Sequence, residues 1–130
     1  MAHELTWDPR GVSVKFRGHV ARAELFAVFE AITAHPRYDE IRYAIADHLE
    51  ATRLDAQPTD MEHLSALDYA ASLTNPRMLG AHVATDPAIL AQIHQFVAVN
   101  DAQHEHAVFT TLEDARRWIA GKLPPAPPAA

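Results

Sequence analysis

A chain of 130 residues that is 48% hydrophobic and 22% charged holds enough material for one domain around a single core and too little for two. Its formal charge of -6 and scattered basic residues argue against a nucleic-acid or anionic-membrane surface, where affinity comes from clustered Lys and Arg. With no cysteine, disulfides, thiolate metal sites and cysteine nucleophiles are excluded.

The opening "MAHELTWDPR" lacks a basic-then-apolar leader, and no uncharged apolar stretch approaches the ~20 residues that span a bilayer. A cytoplasmic protein without membrane insertion is expected. In "LTWDPRGVSVKFRG", Asp8, Pro9, Arg10 and Gly11 supply a side-chain acceptor, a preset φ, a permissive residue and a glycine, the chemistry of a hairpin turn. Val12, Val14 and Phe16 then alternate with Ser13, Lys15 and Arg17, the period of a strand with one wet face. From Ala21 the period lengthens: Leu25, Val28, Phe29 and Ile32 form one helical stripe, which Pro36 ends.

"IRYAIA" is too short for a helix and predicts a strand buried on both faces, ending at Asp47. Thr59 and Glu62 have capping-box spacing for a second helix, with Met61, Leu64, Leu67 and Ala71 as its inner stripe and Asn75 and Pro76 as its end. "RMLGAHVA" is the next strand. In "TDPAIL" Asp86 caps a third helix and Pro87 takes its first position, with Ile89, Ile93, Phe96 and Val97 facing inward. "HAVFTT" is the last strand, before a helix capped by Thr111 and Asp114. A hairpin followed by alternating helices and strands predicts an α/β fold with a mixed sheet of about five strands and four helices. The domain is expected to cover 1-123, with 124-130 ("PPAPPAA") as a Pro/Ala-rich disordered tail.

The succession "FRGHVARAELFAVFEAI", "RYAIADHLEAT", "ALDYAASLTNPRMLGAHVATDPAIL" and "VFTTLEDARRWI" resembles the SpoIIAA-like STAS proteins, the anti-sigma-factor antagonist superfamily, and within it an uncharacterised STAS-like branch. The resemblance implies the STAS fold and a regulatory, protein-binding role. Signalling members open their second helix with D-S-S-G and phosphorylate its serine. Here the matching stretch is "LDAQPTD": Asp55 stands for the aspartate, Ala56 replaces the phospho-acceptor and the glycine is missing, so that switch does not carry over. Thr59 is the hydroxyl nearby, and capping accounts for it.

In open α/β sheets ligands gather beyond the carboxyl ends of parallel strands. Those ends carry Asp47 and His48, Thr85 and Asp86, and Thr110 and Thr111, so Asp47, His48, Thr85 and Asp86 are candidates for a ligand or partner edge, to which the resemblance adds Asp55 and Thr59. "HEH" sets His104 and His106 on one face of an extended segment, a weak chelating pair; two ligands rarely make a selective site, and no metal or other cofactor is expected. Asp68 and Tyr69 interrupt the second helix. They either line a cavity, or Asp68 faces water while Tyr69 packs with its hydroxyl outward, and the latter is expected.

Gly11, Gly18, Gly80 and Gly121 are isolated, which leaves no P-loop or dinucleotide fingerprint, and no serine sits in a G-x-S-x-G elbow. The expectation is a non-enzymatic interaction module that binds a protein partner or a second copy of itself. The alternative is a carrier or sensor of a small apolar ligand in a pocket beneath Phe29, Leu64, Leu67, Phe96 and Val97. An enzyme would need Asp47 and His48 to share one cavity.

Overall fold

A computed structural model describes residues 2-100 and 104-124. The Asp8-Pro9-Arg10-Gly11 turn folds β1 (His3–Trp7) back on β2 (Gly11–Val20), and the Asp8 carboxylate accepts the amides of Arg10 and Gly11 at 2.7 and 2.8 Å, as an Asx turn requires. There follow α1 (Arg22–Thr33), β3 (Tyr43–Leu54), α2 (Pro58–Ser72), β4 (Leu79–Val83), α3 (Pro87–Ala98), β5 (Glu105–Phe109) and α4 (Leu112–Lys122). Proline/alanine-rich residues 125-130 lie outside the described residues.

The sheet runs β1-β2-β3-β4-β5, antiparallel at β1-β2 and parallel at every later pair. Right-handed crossovers that always step in the same direction put every connecting helix on the same face. So α1, α2 and α3 cover one side, over Val14, Phe16, Val20, Ala51 and Leu54. On the other side α4 packs Ala115 and Ile119 on Tyr43, Ile45, Leu79, Ala81 and Val83. The strand order never reverses, so among the described residues the sheet has no topological switch point.

Three local expectations need correction. β3 does not stop at Asp47: it continues to Leu54, paired with β2 through register shifts after Lys15 and Gly18. The cap of α2 is Gln57, two residues earlier than Thr59, because Pro58 fits the first helical position; Asp60 accepts the Gln57 amide at 2.8 Å, and Thr59 is exposed. Finally, the inner stripe of α2 is Met61, Leu64, Ser65, Asp68 and Ser72. Asp68 is 7% exposed and Tyr69 47%, the reverse of expectation. Successive helix residues lie about 100° apart, so once Asp68 turns inward Tyr69 must turn out.

At the α3 start the Asp86 carboxylate accepts the amides of Ala88 and Ile89 at 2.9 and 3.1 Å, and Thr111 accepts that of Asp114 at the α4 start. Among the described residues no helix is long and apolar enough to cross a membrane.

Candidate functional site: a pocket with a histidine wall

The three helices do not close completely on the sheet. Between them lies a pocket of about 170 Å³, walled by Phe16, Val28, Phe29, Leu64, Ile93 and Phe96 among other apolar side chains. Strand alternation sends Ala44, Ala46 and His48 of β3, Gly80 and His82 of β4 and His106 of β5 toward it, while their neighbours face α4. Gly80 is required for close approach: a Cβ there would lie 2.3 Å from His106 Nδ1, so the imidazole rests directly on the β4 backbone.

One end of the pocket is polar. His106 Nε2 lies 3.0 Å from Asp68 Oδ2, His104 Nδ1 lies 3.1 Å from Asp68 Oδ1, and the Asn100 amide donates to Asp68 Oδ2 at 3.0 Å. His104 Nε2 is 2.6 Å from the carbonyl of Asn75, and Asn75 in turn donates to the carbonyls of Tyr38 and Ile41 at 2.7 and 2.9 Å. On the far side of His106, its Nδ1 meets His82 Nε2 at 3.0 Å, and Phe96 sets its ring edgewise to both imidazoles.

The acceptors fix the protons. A carbonyl and a carboxylate both accept, so His104 donates from both nitrogens and is an imidazolium paired with the Asp68 carboxylate. Burial alone would raise the Asp68 carboxyl, but the hydrogen bonds from His104 and His106 outweigh it and hold the acid well below the usual carboxylate range. Burial pulls His104 down, and Asp68 with the Asn75 carbonyl more than reverses that, leaving it raised. Desolvation, the largest cause, pushes His82 well below its ordinary value. Neutral His82 donates to His106 Nδ1, and His106 donates from Nε2 to Asp68.

His48 stands apart. Its ring stacks on Phe16 with centroids 4.8 Å apart; it is 6% exposed, its Nδ1 has no hydrogen-bond partner among the described residues, and burial lowers its pKa to about 4. A neutral, buried imidazole nitrogen left without a partner costs about 1–3 kcal/mol, and a ligand's polar group would relieve that cost.

The residues expected at a carboxyl edge do not assemble. Asp47 and His48 are strand neighbours and point to opposite faces; Asp47 accepts the Leu49 amide at 2.9 Å while His48 enters the pocket. Asp55 is exposed beside His19 and Arg53, Thr85 is exposed, and Asp86 serves as a cap. Of the residues expected beneath the helices, Phe29, Leu64 and Phe96 line the pocket. Leu67 does not, being on the outer side of α2 at 36% exposure, and Val97 packs against the core without lining it. His104 and His106 are brought together as the spacing suggested, but by Asp68. Asn75 was legible only as the end of α2, and His82 carried no signal of its own; the parallel register, Gly80 opposite His106 and His82 opposite Val108, places His82.

No family model matches the chain, and no curated protein matches it. Solved structures do. The unphosphorylated form of the anti-sigma factor antagonist SpoIIAA aligns with a TM-score of 0.59 at 13% identity, over 92% of this chain and 99% of that one. The phosphorylated form of SpoIIAA, described as a Bacillus cell fate determinant, aligns at 0.54 and 14% over 91% and 99%. An uncharacterised Shewanella loihica protein with a SpoIIAA-like fold aligns at 0.50 and 16% over 90% and 91%. The chain therefore has the STAS, or SpoIIAA-like, fold.

Proposed function

We propose that this chain is a non-enzymatic binding protein that holds a small, neutral, largely apolar molecule between its sheet and helices. The observation that carries the reading is the pocket of about 170 Å³ with the unpartnered Nδ1 of His48 in its wall. An apolar protein cavity of about 150 Å³ takes up benzene, so the volume suits a single six-membered ring with one or two substituents. Among the described residues its lining includes no lysine or arginine, which disfavours an anionic ligand. A hydroxyl on the ligand serves either tautomer of His48, since it donates and accepts.

Toluene and phenol are the probes. At ten times the dissociation constant a bound ligand adds about 1.4 kcal/mol, which raises the Tm of a chain of this size by roughly 4 °C. Ala46→Phe, which fills the pocket from β3, abolishes the rise, and His48→Leu removes the advantage of phenol over toluene. A Tm unmoved by both probes up to their solubility overturns the reading.

A second reading concerns a protein partner, the role named for the SpoIIAA structure. The outer face of α2 exposes Ala66, Tyr69, Ala70 and Leu73 at the i, i+3, i+4, i+7 spacing of one stripe, and Leu73 is 60% exposed. The same helix lines the pocket with Met61, Leu64 and Asp68. One helix thus borders both surfaces, and ligand occupancy would be sensed by a partner on its outer side. Loss of a co-purifying partner in Leu73→Glu, with toluene binding intact, tests this; an unchanged partner set sinks it.

A further inference from the structure

We infer that Asp68, His104 and His106 form a binding site for one divalent first-row transition-metal ion at the polar end of the pocket. One carboxylate oxygen and one nitrogen from each ring lie within 4.8 Å of one another, a separation that a central ion with ligand distances of about 2.0–2.2 Å spans after small adjustments. Two imidazoles and one carboxylate are the donor set of zinc and non-haem iron sites, and they leave coordination positions open. This inference goes beyond the apolar-ligand reading and does not depend on it.

Features outside the triad support it independently. Metal-binding histidines as a rule donate their second ring N–H to a carbonyl or another fixed acceptor, which orients the ring. His104 does so to the Asn75 carbonyl at 2.6 Å, and Asn75 is itself pinned by two hydrogen bonds. His106 has His82 Nε2 at 3.0 Å on its second nitrogen, and Asp68 has the Asn100 amide. The side-chain-free Gly80 gives His106 its seat. A buried structural ion pair needs neither the third ring nor the glycine under it.

Proton accounting is simple. The ion replaces the proton on His104 Nδ1, which leaves to solvent. The proton of His106 shifts from Nε2 to Nδ1 and is donated to His82 Nε2, whose own proton moves to Nδ1. Asp68, already ionised, binds without change.

The test uses the full, tag-free chain, stripped with chelator and titrated with Co²⁺ and then Zn²⁺ in the absence of toluene or phenol. The expected result is one ion per chain, with ¹⁵N resonances of the His104 and His106 rings displaced and those of the exposed His19, His63 and His94 unmoved. Asp68→Asn and His106→Gln each weaken Co²⁺ binding by at least about 100-fold. Because the ring resonances are read on the unmodified chain, the result stands even if a variant fails to fold. No binding at millimolar Co²⁺, ring shifts confined to the exposed histidines, or full affinity in a folded His106→Gln variant each overturns the inference. Toluene binding to the stripped protein is measured separately, so failure of the metal site and failure of the pocket are distinguishable.

Discussion

Replacing His48 by leucine removes an imidazole that burial keeps neutral in the folded chain while leaving a side chain of similar size against Phe16. The folded pKa is about 4 against an ordinary value of 6.5. Between those two values the unfolded chain holds a proton that the folded chain does not, so acid favours unfolding and stability falls as pH drops through the window. At about 1.4 kcal/mol per pKa unit, the full loss is about 3 kcal/mol, and by pH 5 it is already about 2 kcal/mol. Below the folded pKa the loss stops growing. The assay is urea denaturation of both proteins at pH 7 and pH 5. Other histidines titrate in both and cancel in the difference, so the wild type should lose about 2 kcal/mol more than His48→Leu on acidification. Equal losses would mean that His48 is solvated or partnered, and the argument for an unsatisfied pocket group would fall with it.

Gly80→Ala drives a methyl into the His106 ring and should cost about 1–3 kcal/mol in denaturation; a neutral result would mean that His106 does not rest on the strand. Asp68→Leu strands the His104 imidazolium in the interior and should cost about 3–5 kcal/mol, part of which returns in Asp68→Leu/His104→Leu. If the double variant is no more stable than the single, the two residues are not a pair. Loss of the α3 cap in Asp86→Ala should cost about 1 kcal/mol without changing toluene affinity, separating this edge residue from the pocket in a parallel calorimetric titration.

What the sequence disclosed and what it hid follow from the range of the interactions involved. The Asp8-Gly11 turn, the alternation of β2 and the Asp86-Pro87 helix start are local, so their residues announce them. The order of elements then sufficed for the mixed sheet, and one succession of segments for its resemblance to the STAS fold. The histidine wall is not local. Asp68 meets His104 and His106 across 36 and 38 residues, and on α2 hydrophobicity alone favoured Leu67 and Tyr69 over Asp68 for the inner face. What turned Asp68 inward is a pair of partners from the last strand region, which no window along the chain contains. Asp47 and His48 were a different case: adjacent residues on a strand face opposite ways, so their separation was implicit once β3 was seen to continue beyond them. Gly80 and His82 were readable as one face of β4, but only the register with β5 makes that face meet His106.

The most direct test of the pocket is a titration of ¹³C-methyl-labelled protein with toluene, followed by NMR. Met61, Met78, Leu64, Val28 and Ile93 line the pocket, whereas Val83 of β4 and Ile119 of α4 pack together on the opposite face of the sheet. Saturable shifts in the first group, with the second unmoved, are the predicted result. Shifts that are absent, or that grow without saturation across both groups alike, would contradict a ligand-holding interior and leave the outer face of α2 as the surface through which this fold acts.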